Sequence, residues 1–394
     1  MVRKRKIPAA LLIIVTLLAI ALILQYGINV KYKFSPHQKF TGGKLYNPYQ
    51  RIDTAIWQVS NFHAHTHKIP DFKHETLNHT KYVDSLYRYL GYDIIGISDY
   101  QMINEFEKNH RWYVPAYEHG YQYYKNHHLV LNAQKVSWLD YLFKQTLDNK
   151  QYVINQLKKD EGIILTLVHP ILRHALSFDD LKYLGNYNCL EVLDNKYQFL
   201  AYYDAVLSSG HHVFLMADDD SHNQRNQVEC GSCFNMINTP LLKDSILYSL
   251  KTGKAYAVKM NLDLYSTNES KKEAIRWLPE LVSFKVNSDT ITAVFSRKVK
   301  TIKFIGQEGS EVMSFSDVYE ASVFFRPEDT YIRTEVECYD GTLFYLNPVF
   351  RYDGILKTDP SPPVDIMKTR VYRVVFAVIF LIAVATLIYK RKNV

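Results

Sequence analysis

The segment Asn61-Phe62-His63-Ala64-His65-Thr66-His67 sets imidazoles two residues apart, and Asp218-Asp219-Asp220-Ser221-His222 repeats that spacing with a carboxylate and an imidazole far downstream. Successive side chains of a strand point to opposite faces, so His63 and His65 can grip one cation from one strand. Asp220 and His222 can do the same from another. Neutral imidazoles with carboxylates are the ligand set of zinc, manganese or iron, and such sites serve hydrolysis. His67 shares a face with His65, while Asp218 and Asp219 read as loop-shaping groups. His37, His74, His79, His110, His119, His174, His211 and His212 read as surface or satisfied core residues.

These groups need a scaffold to bring them together. Between Ala55 and about Val258, strand-length apolar runs (Ile94–Ile97, Val130–Leu131, Ile163–Val168, Leu190–Val192, His212–Met216) alternate with helix-like stretches. Thr80–Leu90 reads as a helix with Tyr82, Leu86 and Leu90 on one face and Gly91 as its stop. Lys135–Lys158, Asp179–Leu184 and Phe199–Ser209 are further helical candidates. Such alternation implies a mainly parallel sheet, open or closed into a barrel. Asp99, His169 and Asp220 follow apolar strands, where parallel α/β folds place their sites. After about Asn261 the pattern changes to a period of two, with a hairpin signal at Tyr339-Asp340-Gly341, which predicts a small antiparallel β module of sandwich type.

The formal charge of +7 is concentrated at the ends of the chain, in Arg3, Lys4, Arg5, Lys6 and Lys390, Arg391, Lys392. That distribution argues against a nucleic-acid partner. Ile7 to about Tyr26 and Val371–Tyr389 are apolar runs of roughly the 20 residues that cross a bilayer. They predict two anchors in the lipid bilayer of an inner cell membrane, with both termini cytoplasmic and an extracytoplasmic or periplasmic body. The expected parts are an anchor over 1–30, a stalk over 31–54, a catalytic domain over 55–260, a β-rich domain over 261–355, a Pro-rich linker over 356–370 and an anchor over 371–394. Cys230-Gly231-Ser232-Cys233 has redox or zinc spacing; a local disulfide and two free thiols stay equally open.

The series His63-x-His65, Ser98-Asp99-Tyr100, Pro115-Ala116-Tyr117-Glu118, His127-His128, His169-Pro170, Glu191 to Asn195 and Asp220-Ser221-His222 resembles the PHP (polymerase and histidinol phosphatase) family of metal-dependent phosphoesterases over roughly residues 56–258. Leu250–Tyr256 looks like the close of such domains in the branch resembling carbaryl-hydrolase-type metallohydrolases. The resemblance implies a distorted (β/α)7 barrel with a metal cluster at its mouth, followed here by the β module. His63, His65, Glu118 and Asp220 would hold one ion. Glu118 would bridge to a second, held also by His128 and His169. His128 is preferred over its competitor His127 because it directly precedes the Leu-Val-Leu strand, as in the family. A third site would use Asp71, Tyr100 and His222, but a phenol with a pKa of about 10 is a poor ligand, so two divalent ions are expected. Asp99 and Glu191 would orient ligand imidazoles or meet the substrate, with Glu118 and Asp220 in the catalytic set. Arg173 and Arg225 could clamp an anion, and Asn195 and Tyr100 are further substrate-side candidates. The expected function is phosphoester hydrolysis on a small or envelope-associated substrate. Hydrolysis of an ester, carbamate or amide is one alternative, and a non-catalytic, metal-stabilised binding module is the other.

Overall fold

The computed structural model describes residues 9–66, 79–263 and 265–392, with side chains from 14 to 385. Arg3 to Lys6, His67, Asp71 and His74 lie outside the described residues, as do the side chains of Lys390, Arg391 and Lys392. The strands are β1 (Lys44–Tyr46), β2 (Trp57–Asn61), β3 (Ile94–Ile95), β4 (Ala116–His119), β5 (His128–Leu131), β6 (Ile164–Leu167), β7 (Cys189–Leu193), β8 (Phe214–Ala217), β9 (Cys233–Asn238), β10 (Ala255–Lys259), β11 (Leu281–Asn287), β12 (Thr290–Ile305), β13 (Glu311–Phe324), β14 (Tyr331–Glu337) and β15 (Leu343–Tyr352). The helices are α1 (Ala9–Gly27), α2 (Thr80–Leu90), α3 (Leu147–Leu157), α4 (Phe178–Tyr183), α5 (Leu200–Ser208), α6 (Lys243–Lys251), α7 (Asn268–Arg276) and α8 (Ile366–Lys392).

The strands form two sheets, so the expected closed (β/α)7 barrel is corrected. One sheet runs β4-β5-β6-β7-β8, and the other runs β11-β12-β14-β15-β10-β9-β2-β3, with β1 beside β15 and β13 beside β12. Pairing is parallel for β6–β7, β7–β8 and β2–β3, but antiparallel for β4–β5, β5–β6, β2–β9 and β9–β10. Apolar runs disclose that strands exist; they do not disclose their direction. No helix intervenes between β4 and β5, which removes the crossover a parallel pair requires. The strands after residue 261 are not a detached sandwich in hydrogen-bonding terms. β15 pairs with β10 from Tyr256↔Leu346 to Lys259↔Leu343, so the late strands extend the sheet that carries β2 and β9.

The two predicted membrane spans are also corrected. Among the described residues no helix is long and apolar enough to cross a membrane. The Val371–Tyr389 run belongs to a helix that begins earlier, at Ile366, so Lys368, Arg370 and Arg373 all fall in its opening turns. Arg373 donates to the Ile28 carbonyl at 3.3 Å, and the Lys31 ammonium lies 4.4 Å from the Tyr372 ring centroid. The inner-membrane placement and its sidedness, which rested on those spans, fall with them.

Local expectations held unevenly. α2 spans Thr80–Leu90 and stops at left-handed Gly91, but it buries Val83, Leu86, Tyr87 and Leu90 and leaves Tyr82 exposed. Helix over Lys135–Lys158 shrinks to α3, which starts at a capping box on Thr146 and Asn149. Leu129, Leu165, Leu190, Leu193 and Met216 are fully buried in one core; Phe234, Phe344, Leu346 and Ile302 are fully buried in the other.

Candidate metal centre

The site forms where the ends of both sheets meet. Ala64 bridges Ser221, and Tyr100 bridges Glu118, each in parallel. The His65 N–H donates to the Ser221 carbonyl at 2.9 Å, and the Glu118 N–H to the Ser98 carbonyl at 3.2 Å. These links draw the segment after β2, the segment after β3, β4 and the loop after β8 around one point.

Four atoms converge there: His63 Nε2, His65 Nε2, Glu118 Oε2 and Asp220 Oδ1. The two imidazole nitrogens lie 3.4 and 3.1 Å from Glu118 Oε2 and both lie 3.3 Å from Asp220 Oδ1. A tetrahedral ion with ligands at about 2.0–2.1 Å has edges of about 3.3–3.4 Å. All four atoms are buried and have no hydrogen-bond partner. Buried polar atoms are normally paired, so four orphans facing one another mark a place shaped for a cation. The other Glu118 oxygen, Oε1, lies 2.5 Å from His127 Nδ1 and 3.0 Å from His169 Nε2. One carboxylate thus serves two groups of ligands, and the residues present fit divalent metal ions.

The second group corrects the choice of His128. Across β4 and β5, Glu118 opposes Leu129 and His119 opposes His128. Opposed residues share a face, so His128 joins His119 on the side away from Glu118. His127, two residues before Leu129, takes the Glu118 side. The pairing parity of β4 and β5 was the missing signal; nearness to the strand start carried none. His128 is buried with neither ring nitrogen hydrogen-bonded.

Electrostatics hold the carboxylates charged, and those same carboxylates outweigh burial to favour a proton on His63, His65 and His169, a proton that a bound cation would have to displace. Burial would raise the Glu118 carboxyl, but the imidazoles of His127 and His63, with hydrogen bonds from His127 and His169, hold it well below the ordinary range. Asp220 is likewise lowered, burial being outweighed by His63, His65, His222 and His169. Burial pulls His127 down to about 4, leaving it neutral near pH 7.

The surrounding groups have definite tasks. Glu191 Oε1 lies 2.9 Å from His63 Nδ1, and its Oε2 accepts from the His169 N–H at 2.7 Å, so Glu191 positions His63 and His169 from behind the cluster. Asp99 accepts from the Thr66 N–H and hydroxyl, both at 2.6 Å, and from Asn104 at 3.1 Å. It fixes the loop after His65. His169 and Asp220 have left-handed backbones (φ 30° and 44°), a strain of about 1–3 kcal/mol each that persists only when neighbours hold it. Asn195 does so for Asp220, its amide donating to the Asp219 and Asp220 carbonyls. That makes Asn195 a backbone brace.

Asp219 accepts from the N–H groups of Gly231, Ser232 and Cys233 at 2.7–2.8 Å and from the Tyr87 hydroxyl at 2.9 Å. The CxxC segment is therefore a cradle for Asp219, and its two cysteines are buried free thiols. Tyr100 stacks on His65 with ring centroids 4.5 Å apart, and its hydroxyl lies 3.2 Å from His222 Nε2. Burial raises the phenol above its ordinary pKa, so it stays protonated and acts as a donor to His222, not a third-site ligand. Burial also lowers His222 to about 4. Of the two arginines, Arg173 is exposed and lies on the Tyr123 ring, 4.2 Å from its centroid. Arg225 is exposed on the loop after His222. The half-buried Lys125, not singled out in the sequence, comes closer: its ammonium is 5.1 Å from the Tyr100 ring centroid.

No family description matches the chain, and no curated protein does. Among solved structures it is similar to PsfC from Pseudomonas syringae PB-5123, with a TM-score of 0.37 and 15% identity over 56% of this chain and 99% of PsfC. A likeness of that degree decides neither fold nor function.

Proposed function

We propose that this chain is a metal-dependent hydrolase of phosphoesters, built on two divalent ions of the zinc, manganese or iron class and distantly related to the PHP family. The observation that carries the reading is Glu118, whose two oxygens face separate sets of ligands: His63, His65 and Asp220 on one side, His127 and His169 on the other. A carboxylate with two donor oxygens is what a pair of cations would share, and such a pair supplies Lewis acidity and water activation. The chain's own residues supply the rest. Glu191 orients His63, and the Tyr100 hydroxyl holds His222 at the mouth beside Asp220. Lys125 places a positive charge over Tyr100, where an anionic phosphoester would enter. The motif order from His63 to His222 supports the same reading.

The test uses the full chain and Glu118→Gln, with metal content measured alongside turnover of aryl phosphates, phosphodiesters and aryl esters, each with and without chelator. Chelator-sensitive turnover of phosphate substrates, lost together with bound metal in Glu118→Gln, is the expected result. Turnover of esters alone would replace this reading with that of an ester hydrolase. Bound metal with no turnover of any substrate would leave a binding module.

A further inference from the structure

A second cluster of ligand-type side chains lies apart from the centre above. His37, His211 and Asp359 each bring one nitrogen or oxygen to within 4.8 Å of the others. They come from three distant parts of the chain: the segment before β1, the turn between α5 and β8, and the Pro-rich segment before α8. His211 Nδ1 lies 2.8 Å from Asp359 Oδ2, and His212 Nδ1 lies 3.2 Å from Asp359 Oδ1. The His37 and His211 ring centroids are 3.8 Å apart.

Two glycines permit this convergence. A Cβ at residue 210 would sit 1.8 Å from the Gln38 carbonyl oxygen, and one at residue 185 would sit 2.4 Å from the Pro360 carbonyl oxygen. Any side chain at Gly210 would push His37 off His211, and one at Gly185 would displace Asp359. The backbone closes the arrangement, with the His37 N–H donating to the Lys182 carbonyl and the Asn186 N–H to the Asp359 carbonyl.

The hydrogen bonds do not use up the donor set. His211 is fully buried, and its Nε2 has no hydrogen-bond partner. Buried polar atoms are normally paired, so an imidazole nitrogen left without a partner beside a second imidazole has room for a bond that a cation can supply. The Tyr187 ring lies 6.3 Å from that of His211, and its buried hydroxyl is also without a partner. We propose that His37, His211 and Asp359 hold a divalent cation of the zinc class, with His212 beside them as a third nitrogen, in a structural site that ties the segment before β1 and the segment before α8 to the body of the fold. Two imidazoles and a carboxylate suit zinc better than calcium or magnesium, which prefer oxygen. This site stands whether or not the hydrolase reading survives.

The probe is zinc alone. The full chain carrying His63→Ala, His65→Ala and His127→Ala, which disable both ligand groups on Glu118, is dialysed against buffered zinc and its bound metal is counted. One zinc per chain should remain, and adding His37→Gln should weaken it at least tenfold. His37 is half-buried, so its replacement spares the core. His37→Gln in the otherwise native chain is the companion variant should the triple substitution not fold; it should lose one zinc equivalent and keep the rest. Cobalt substituted in the His63→Ala/His65→Ala/His127→Ala chain should show visible bands that His37→Gln removes. Unchanged zinc stoichiometry and affinity on replacing His37, in whichever background folds, overturns the proposal.

Discussion

Replacing Glu191 by Gln tests whether the metal ligands are held from behind. Glu191 is fully buried and accepts at both oxygens, from His63 Nδ1–H at 2.9 Å and from the His169 N–H at 2.7 Å. Gln keeps one acceptor and turns an NH2 group toward the other donor, so one of the two N–H groups loses its partner in a fully buried position. An unsatisfied buried donor costs about 1–3 kcal/mol. Removing a partner that orients a metal ligand weakens metal binding by about 10–100-fold, which is about 1.4–2.7 kcal/mol. The two estimates agree because they describe the same lost hydrogen bond. The assay is zinc affinity by competition with a chromophoric chelator, alongside thermal unfolding of metal-free protein. Weaker zinc binding in that range, with bound stoichiometry recovered at high zinc, is expected. Native zinc affinity in a folded Glu191→Gln protein would refute the argument that Glu191 positions His63 and His169.

Three other outcomes follow from the same geometry. His127→Ala should remove the second ion and leave the first, whereas His128→Leu should keep the metal content and not lower the melting temperature, because both His128 nitrogens are buried without partners; loss of metal in the His128 variant would restore the sequence-based choice. Tyr100→Phe should leave metal stoichiometry unchanged and cost about 0.5–1.5 kcal/mol for the hydrogen bond to His222, read by urea unfolding; a lost ion would make the phenol a ligand. Burial raises Asp140 to about 6, so the folded state holds its proton more tightly than the unfolded chain, whose value is about 3.9. The stability this contributes is complete below the unfolded value and is lost as pH rises through about 6, by about 3 kcal/mol in all. Unfolding of chelator-treated protein between pH 4 and 7 should therefore fall less in Asp140→Asn than in the native chain, and parallel curves would show the Asp140 shift to be wrong.

The sequence made the ligand types visible because they sit at motif spacings, and His63, His65, Glu118, His169 and Asp220 do meet in space. It failed where the answer depended on pairing between strands. His127 and His128 are neighbours with opposite directions, and only the Glu118↔Leu129 register separates them. The barrel failed for a related reason: period and apolar content reveal a strand but not whether its neighbour runs with it or against it. The C-terminal apolar run looked like a span when counted from its first apolar residue, while α8 begins five residues before Val371 and takes Lys368, Arg370 and Arg373 inside. Asp99, Glu191 and Asn195 were found by motif, and Glu191 does orient a ligand-type imidazole as expected, but the tasks of Asp99 and Asn195 were not legible; a side chain's partner is a matter of distance. The cluster at His37, His211 and Asp359 was invisible, since its members are up to 322 residues apart, from 37 to 359.

The continuous ladder from β10 into β15 has a practical corollary for anyone cloning the half that carries the His63–Glu118–Asp220 cluster. A fragment ending at residue 260 would strip β15 from β10 and bare the backbone of Ala255–Lys259, along with the apolar residues Tyr256 and Val258. Bare edges of that kind recruit other chains. Such a fragment should scatter light as oligomers under conditions where the full-length protein stays monodisperse; a well-behaved monomer would show that the late strands are dispensable for solubility.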